Sequence, residues 1–190
     1  MTTIVTVLTE GFADWETALL NAAARAFYKM ETRYASPGGK PVTSSGGMKV
    51  MPDMALEAVD IDALDVLIIC GGTAWQSPGA PGISGLAHAA AKQGKIIGAI
   101  CDGTVALAKT GLLDSLAHTS NGEGYLDETG YKGKALYRNV PYAVTDGRLV
   151  TAPGTAPLSF MSEIMKKLGF GDANLDYYVG LHAAQFDRAA

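Results

Sequence analysis

The sequence predicts an α/β fold built on a mostly parallel sheet with helices on both faces. Three observations lead there. Short, fully apolar runs such as Asp65–Cys70 (DVLIIC) and Lys95–Ile100 alternate with segments of helical periodicity. Those runs lack the in–out alternation of a half-exposed strand, so both of their faces are buried. Gly-rich breaks close them, as at Gly71-Gly72.

Taken in order, Thr3–Leu8 reads as the first strand, and Asp14–Met30 as a helix carrying Trp15, Leu19, Leu20, Ala23 and Phe27 on one stripe. Asp14 is its expected N-cap. Arg33–Ala35 is a short strand closed by Ser36-Pro37-Gly38-Gly39, and Ser45-Gly46-Gly47 is the tip of a hairpin. Asp65–Cys70 is a buried strand, and Pro81–Gln93 is a helix of small residues. The apolar run ending at Cys101 is a further strand, followed by helical spacing through Val105, Leu107, Ala108 and Leu112. Arg148–Ala152 is the last clear strand, and Pro157–Leu168 is an amphipathic helix. The tail from about 171 to 190, with Tyr177, Tyr178, Leu181, His182 and Phe186, reads as a docking or dimer-contact helix. With 190 residues, no linker and no repeat, 1–190 is expected to form a single domain.

Composition excludes several classes of function. A net charge of −4 does not suit a nucleic-acid or anionic-membrane partner. No apolar run reaches the ~18 residues of a membrane span, and the start MTTIVTVLTE reads as a strand rather than a signal peptide. Two cysteines are too few for a disulfide framework, which fits a reducing, cytoplasmic setting. Three scattered histidines form no metal-ligand pattern, Gly122-Glu123-Gly124 lacks the third glycine of a dinucleotide loop, and no cofactor is expected.

The informative stretch is IIGAICDGTVALAKTGLL, Ile96–Leu113. Cys101 stands where a buried strand turns into a helix, within Ala99-Ile100-Cys101-Asp102-Gly103. Small residues two positions to either side of a nucleophile permit a tight turn that holds it above the sheet in a strained conformation. Ligands of open α/β sheets bind at such strand ends. The amides opening the next helix would favour thiolate, so a low thiol pKa is expected for Cys101. Cys70 belongs to its strand and reads as packing. Gly71 and Gly72 allow backbone N–H groups to approach a ligand.

Four motifs in order, VLTEGFADWETALL, IICGG, AICDGTVALAKTGLL and DGRLVTAPGTAPLSF, resemble the ThiJ/PfpI superfamily. That superfamily comprises the parkinsonism-associated protein and PfpI-type intracellular proteases, within the class I glutamine amidotransferase-like fold. The resemblance covers about Thr3 to Leu168. It implies a flavodoxin-like sandwich, a homodimer, Cys101 at a nucleophile elbow, Glu16 in contact with its sulfur, and an oxyanion pocket from Gly71 and Gly72. Ionised, Glu16 would raise the thiol pKa by repulsion; protonated, it would donate to the sulfur and favour thiolate.

The departures concern the base. PfpI-type proteases carry histidine directly after the nucleophile, where this chain has Asp102. The parkinsonism-associated group carries its histidine at the position that falls, counted without gaps, on Asn121; before Gly122, Asn121 also reads as a turn former. Glutamine amidotransferases place a histidine and an acid where this chain has TAPGTAP. Asp102 and His118 are therefore the candidate substitutes, with His118 equally readable as a strand-end histidine bonded to backbone. His88 is expected at the surface. Trp15 and Trp75 flank the site in sequence as core or pocket wall, and Trp75 could shape the pocket mouth. Two functions follow: a cysteine-dependent hydrolase, lyase or hydratase acting on a small electrophile, or a redox-responsive, stress-protective protein whose Cys101 is oxidised.

Overall fold

The computed structural model describes residues 1–186. A seven-stranded sheet forms the centre, in the order β5 (Met54–Ala55), β2 (Glu31–Ser36), β1 (Thr3–Val7), β6 (Val66–Ile69), β7 (Ile96–Ile100), β9 (Leu149–Ala152), β8 (Val144–Asp146). Every pairing is parallel except β8 with β9. This is a flavodoxin-like α/β sandwich.

The apolar runs resolve into two faces. Val5, Val7, Leu67, Ile69, Ile97 and Ala99 point to one side, against α2 (Ser84–Lys92) and α3 (Gly103–Ala108). Ile4, Val66, Ile68, Ile96, Ile100 and Val150 point to the other, against α1 (Asp14–Ala26) and α4 (Pro157–Lys167), with Leu175 of α5 (Ala173–Ala183). Most of these side chains are completely buried, each contributing roughly 1.5–3 kcal/mol of transfer free energy. A continuous run therefore serves two cores.

Element bounds differ from expectation where backbone conformation intervenes. Lys29 takes a positive φ of 54°, so α1 ends at Ala26 and the chain is already in β2 by Glu31. The helix after Cys101 stops at Ala108 instead of reaching Leu112, because Gly111 (φ 81°) turns the chain. The small-residue helix starts at Ser84, after Pro81-Gly82. The sequence reading missed β8, although Asp146-Gly147 between β8 and β9 is a hairpin-turn signal, with Gly147 at φ 56°. The hairpin around Ser45-Gly46-Gly47 forms as β3 (Val42–Thr43) and β4 (Lys49–Val50).

Asp14 is the first helical residue rather than the cap, which is Ala13. Its carboxylate instead accepts from Ser44 Oγ at 2.6 Å and Gly46 N at 3.1 Å, tying the hairpin to α1. The C-terminal tail does form a helix, α5, which docks through Leu175 and sets Tyr178 against Phe27 with ring centroids 4.8 Å apart. Tyr177, Leu181 and Phe186 stay exposed, and residues 187–190 of that tail lie outside the described residues. No helix among the described residues is long and apolar enough to cross a membrane.

Candidate functional site

The carboxyl ends of β1, β6, β7 and β9 converge on Cys101. Strand β7 ends at Ile100 and α3 begins at Gly103, which leaves two residues for the reversal. Cys101 takes φ 55°, a left-handed conformation costly for a residue with a side chain. The surroundings hold it there. Its N–H donates to Ala152 O at 3.0 Å, and its carbonyl accepts from Thr104 N at 3.0 Å and Thr104 Oγ1 at 2.5 Å. Gly103 is required because any Cβ there would collide with the Ile69 carbonyl.

Asn121 donates from Nδ2 to Cys101 Sγ at 3.1 Å. Its orientation is fixed because Oδ1 accepts from Gly154 N at 2.9 Å, so the NH2 end must face the sulfur. Gly154 is pressed against the same sulfur. A Cβ at this position would lie 2.9 Å from Sγ and 3.0 Å from Glu16 Oε1.

Glu16, in the first turn of α1, is completely buried. Its Oε2 accepts from Gly71 N at 2.8 Å and lies 3.9 Å from the Cys70 thiol. Its Oε1 is buried with no further partner, facing Cys101. Gly71 N–H engages Oε2, which leaves Oε1 as the oxygen without a hydrogen-bond donor, on the Cys101 side of the carboxyl.

Electrostatics couple the two groups. Burial raises the Glu16 pKa to about 7, opposed by hydrogen bonds from Cys101 and Gly71. Burial and then the Glu16 charge raise Cys101 to about 12, opposed by the Asn121 donor. The pair thus holds two protons below neutrality and one above, and the two titrations belong to the pair. This corrects the expected low thiol pKa. The helix following Cys101 has only six residues, and desolvation with a facing carboxylate outweighs its dipole. Cys70 is also raised by burial, and its thiol approaches Ala13 O at 3.4 Å and Thr17 Oγ1 at 3.7 Å, as a packed strand residue should.

The other predicted residues separate. Asp102 adjoins Cys101 in sequence, but its buried carboxylate turns away and accepts from Gln76 Nε2 at 2.7 Å and from the Tyr125 hydroxyl. Burial and Asp102 raise the Tyr125 pKa to about 12, which keeps the phenol protonated. His118 does not reach the sulfur. It is fully buried, with Nδ1 on Leu116 O at 2.7 Å, Nε2 3.4 Å from Tyr131 Oη, and Tyr131 and Tyr137 edge-on to its ring. Burial lowers its pKa, so it is neutral, with Nδ1–H donating to the carbonyl. Its place as catalytic base is corrected to that of a core histidine.

Trp75 is likewise completely buried, with Nε1 donating to Cys70 O at 2.8 Å, and forms no pocket mouth over Cys101. Gly72 packs against the Phe12 backbone, where a Cβ would meet Phe12 Cα at 3.0 Å. The Gly71 N–H is committed to Glu16, so of the glycine pair expected to supply oxyanion donors, Gly71 is already engaged.

Sequence reasoning missed Gly154, Gln76 and Tyr125. Gly154 lies in the TAPGTAP segment already marked as the histidine-bearing region of other proteins, and that position was its only signal. Trp15, expected on the apolar stripe of α1 and as core or pocket wall, is 53% exposed and so no core residue, with Nε1 donating to Gly154 O at 3.0 Å.

A profile of the DJ-1/PfpI family matches residues 2–167, across all the elements that build this site. The chain belongs to the DJ-1/PfpI family. Among solved DJ-1 superfamily structures, Atu0886 from Agrobacterium tumefaciens is 41% identical and superposes with a TM-score of 0.92, covering 98% of this chain and 100% of that one. YoaZ of Bacillus subtilis, named an uncharacterized protease, is 40% identical over 129 residues, which are 67% of this chain and 61% of YoaZ. DJR-1.2 of Caenorhabditis elegans, named a glutathione-independent glyoxalase, is 32% identical over 143 residues, 73% of this chain and 74% of DJR-1.2. DJ-1/PfpI relatives thus carry both protease and glyoxalase names.

Proposed function

We propose that this DJ-1/PfpI protein is a cysteine-dependent enzyme that converts small 2-oxoaldehydes and water to 2-hydroxy acids, with Cys101 as nucleophile and Glu16 as acid–base. The observation that carries the reading is that Glu16 is the one proton acceptor paired with the Cys101 thiol among the described residues, and its pKa is about 7. A general base poised at neutrality suits proton transfers at carbon and sulfur. A peptidase must also protonate a departing amine, the task of the histidine that is absent here.

The steps balance without an external oxidant. The Cys101 proton passes to Glu16 Oε1 as the sulfur adds to the aldehyde carbon. Glu16 returns that proton to the new alkoxide, giving a hemithioacetal. Glu16 then removes the proton from the former aldehyde carbon as the neighbouring carbonyl oxygen takes up the hydroxyl proton of the first carbon, through an enediol. Glu16 delivers its proton to the second carbon, leaving a hydroxyl there and the first carbon as the acyl carbon of a thioester. The first carbon is oxidised and the second reduced. Water cleaves the thioester, releasing the 2-hydroxy acid and restoring the thiol. Asn121 Nδ2, fixed by Gly154, is the donor that can follow negative charge from sulfur to the adjacent substrate oxygen.

Methylglyoxal consumption with hydroxy-acid release, measured beside casein hydrolysis, tests the reading. Turnover of methylglyoxal lost in Cys101→Ser and Glu16→Gln is expected, with casein untouched. Casein cleavage dependent on Cys101 would overturn it.

A second reading is the redox one, in which Cys101 is oxidised and no turnover occurs. Partial exposure of Cys101 and its Asn121 donor favour it; the raised thiol pKa weighs against it. Peroxide-dependent mass gain on Cys101 without turnover of any 2-oxoaldehyde would select it. A homodimer in a cytoplasmic setting belongs to the same proposal, supported by the exposed Phe27, Tyr177 and Leu181 and tested by sedimentation.

A further inference from the structure

Trp15 and Glu16 are consecutive residues in the first turn of α1, about 100° apart around its axis. Both reach the nucleophile's surroundings. A side chain at Gly154 would meet Cys101 Sγ at 2.9 Å and Glu16 Oε1 at 3.0 Å, while Trp15 donates to the Gly154 carbonyl. Gly154 joins three parts of the site: its N–H holds Asn121, its carbonyl holds the Trp15 indole, and its bare Cα lies against Sγ. No side chain at 154 intervenes between the indole and the sulfur.

The indole has its polar edge satisfied and its apolar surface left open, at 53% exposure. A tryptophan ordinarily buries most of its ring, and one held rigidly beside a reactive group with its face bare provides apolar recognition at little entropic cost. The polar groups beside it, Asn121 and Glu16, are occupied with each other's neighbours and with the sulfur. The half-exposed residue on this side of Gly154 is aromatic.

We propose that Trp15 is the specificity wall of the site, so that Cys101 reacts preferentially with electrophiles carrying a flat aryl substituent, an aryl 2-oxoaldehyde above methylglyoxal. The substrate class rests on the enzymatic reading above; the wall itself does not. Stacking an aryl group on the indole holds its carbonyl carbon beside Sγ, which accelerates the bond-forming step for aryl but not for methyl compounds.

Alkylation of Cys101 by phenacyl bromide and by bromoacetone, followed by mass spectrometry and normalised to the rates of free glutathione, measures the wall without requiring turnover. The wild type is expected to favour the phenacyl reagent about tenfold over the intrinsic ratio, an advantage in the range of one aromatic contact. Trp15→Ala should reduce the ratio of the two rates to the intrinsic value, and Trp15→Phe, which keeps a ring face without the bond to Gly154, should retain part of it. An unchanged ratio in Trp15→Ala, an equal fall with both reagents, or no aryl preference in the wild type would each overturn the proposal. Parallel assays with phenylglyoxal and methylglyoxal separate the two ideas. Aryl-selective labelling without turnover sinks the enzymatic reading and leaves the wall; turnover without aryl-selective labelling does the reverse.

Discussion

Asn121 donates to the Cys101 sulfur at 3.1 Å from a loop twenty residues further along the chain, and Gly154 dictates which end of the amide does so. An amide can polarise but cannot take a proton. On the proposed reading, proton traffic at the sulfur therefore falls to Glu16, whose Oε1 has no other hydrogen-bond partner.

The reactivity of Cys101 should therefore follow the titration of the pair. The singly protonated pair, which includes the form with the proton on Glu16 and the charge on sulfur, is the reactive species. Iodoacetamide labelling should rise with pH, level off above about pH 7, and hold until the thiol itself titrates near 12. Glu16→Gln should abolish the inflection near neutrality. A Glu16→Gln profile with the same inflection would exclude Glu16 as the group responsible.

Removing the Asn121 donor should lower thiolate content. A hydrogen bond to a charged group contributes about 1.5–3 kcal/mol, so Asn121→Ala should slow labelling at neutral pH by roughly ten- to a hundredfold. Asn121→Asp should be slower still, because a second carboxylate would face the sulfur. Equal rates in wild type and Asn121→Ala would reduce Asn121 to a loop anchor.

Glu16 also affects stability, with a definite sign. Its folded pKa of about 7 stands above the 4.5 of the free side chain, so between these values the folded state binds the extra proton. Stability is then fully present below pH 4.5 and falls as pH rises to about 7, by up to roughly 3 kcal/mol. Glu16→Gln, neutral throughout, should be more stable than wild type at pH 8 and lose this slope. Urea melts at several pH values would show it, and parallel slopes for both proteins would contradict it.

His118 should matter to folding and not to chemistry. His118→Ala removes a buried ring between two tyrosines and leaves the Leu116 carbonyl without its donor, at a cost of about 2–4 kcal/mol. Cys101 labelling rate and pH profile should stay unchanged in the folded fraction. A shifted profile would place His118 back in the reaction.

The central parallel strands and the turn at Cys101 were legible in the chain because each has a local signature, whereas the placing of Glu16 beside Cys101 came from the family resemblance. Two-sided burial writes a continuous apolar run, and a tight strand–helix turn demands small residues at fixed offsets. Backbone reversals were less legible: the left-handed residue at Lys29 carries no compositional mark, and α1 ended early there. What the sequence by itself determined is the architecture and the place of Cys101 at a strand–helix turn. Only the tertiary structure decided what surrounds its sulfur, because Asn121 bonds it, Gly154 orients Asn121 and Trp15 bonds Gly154 across long chain separations that no periodicity encodes. It decided the thiol's titration for the same reason: burial and a facing carboxylate are properties of the assembled site, and together they outweigh the short helix whose dipole the sequence does reveal.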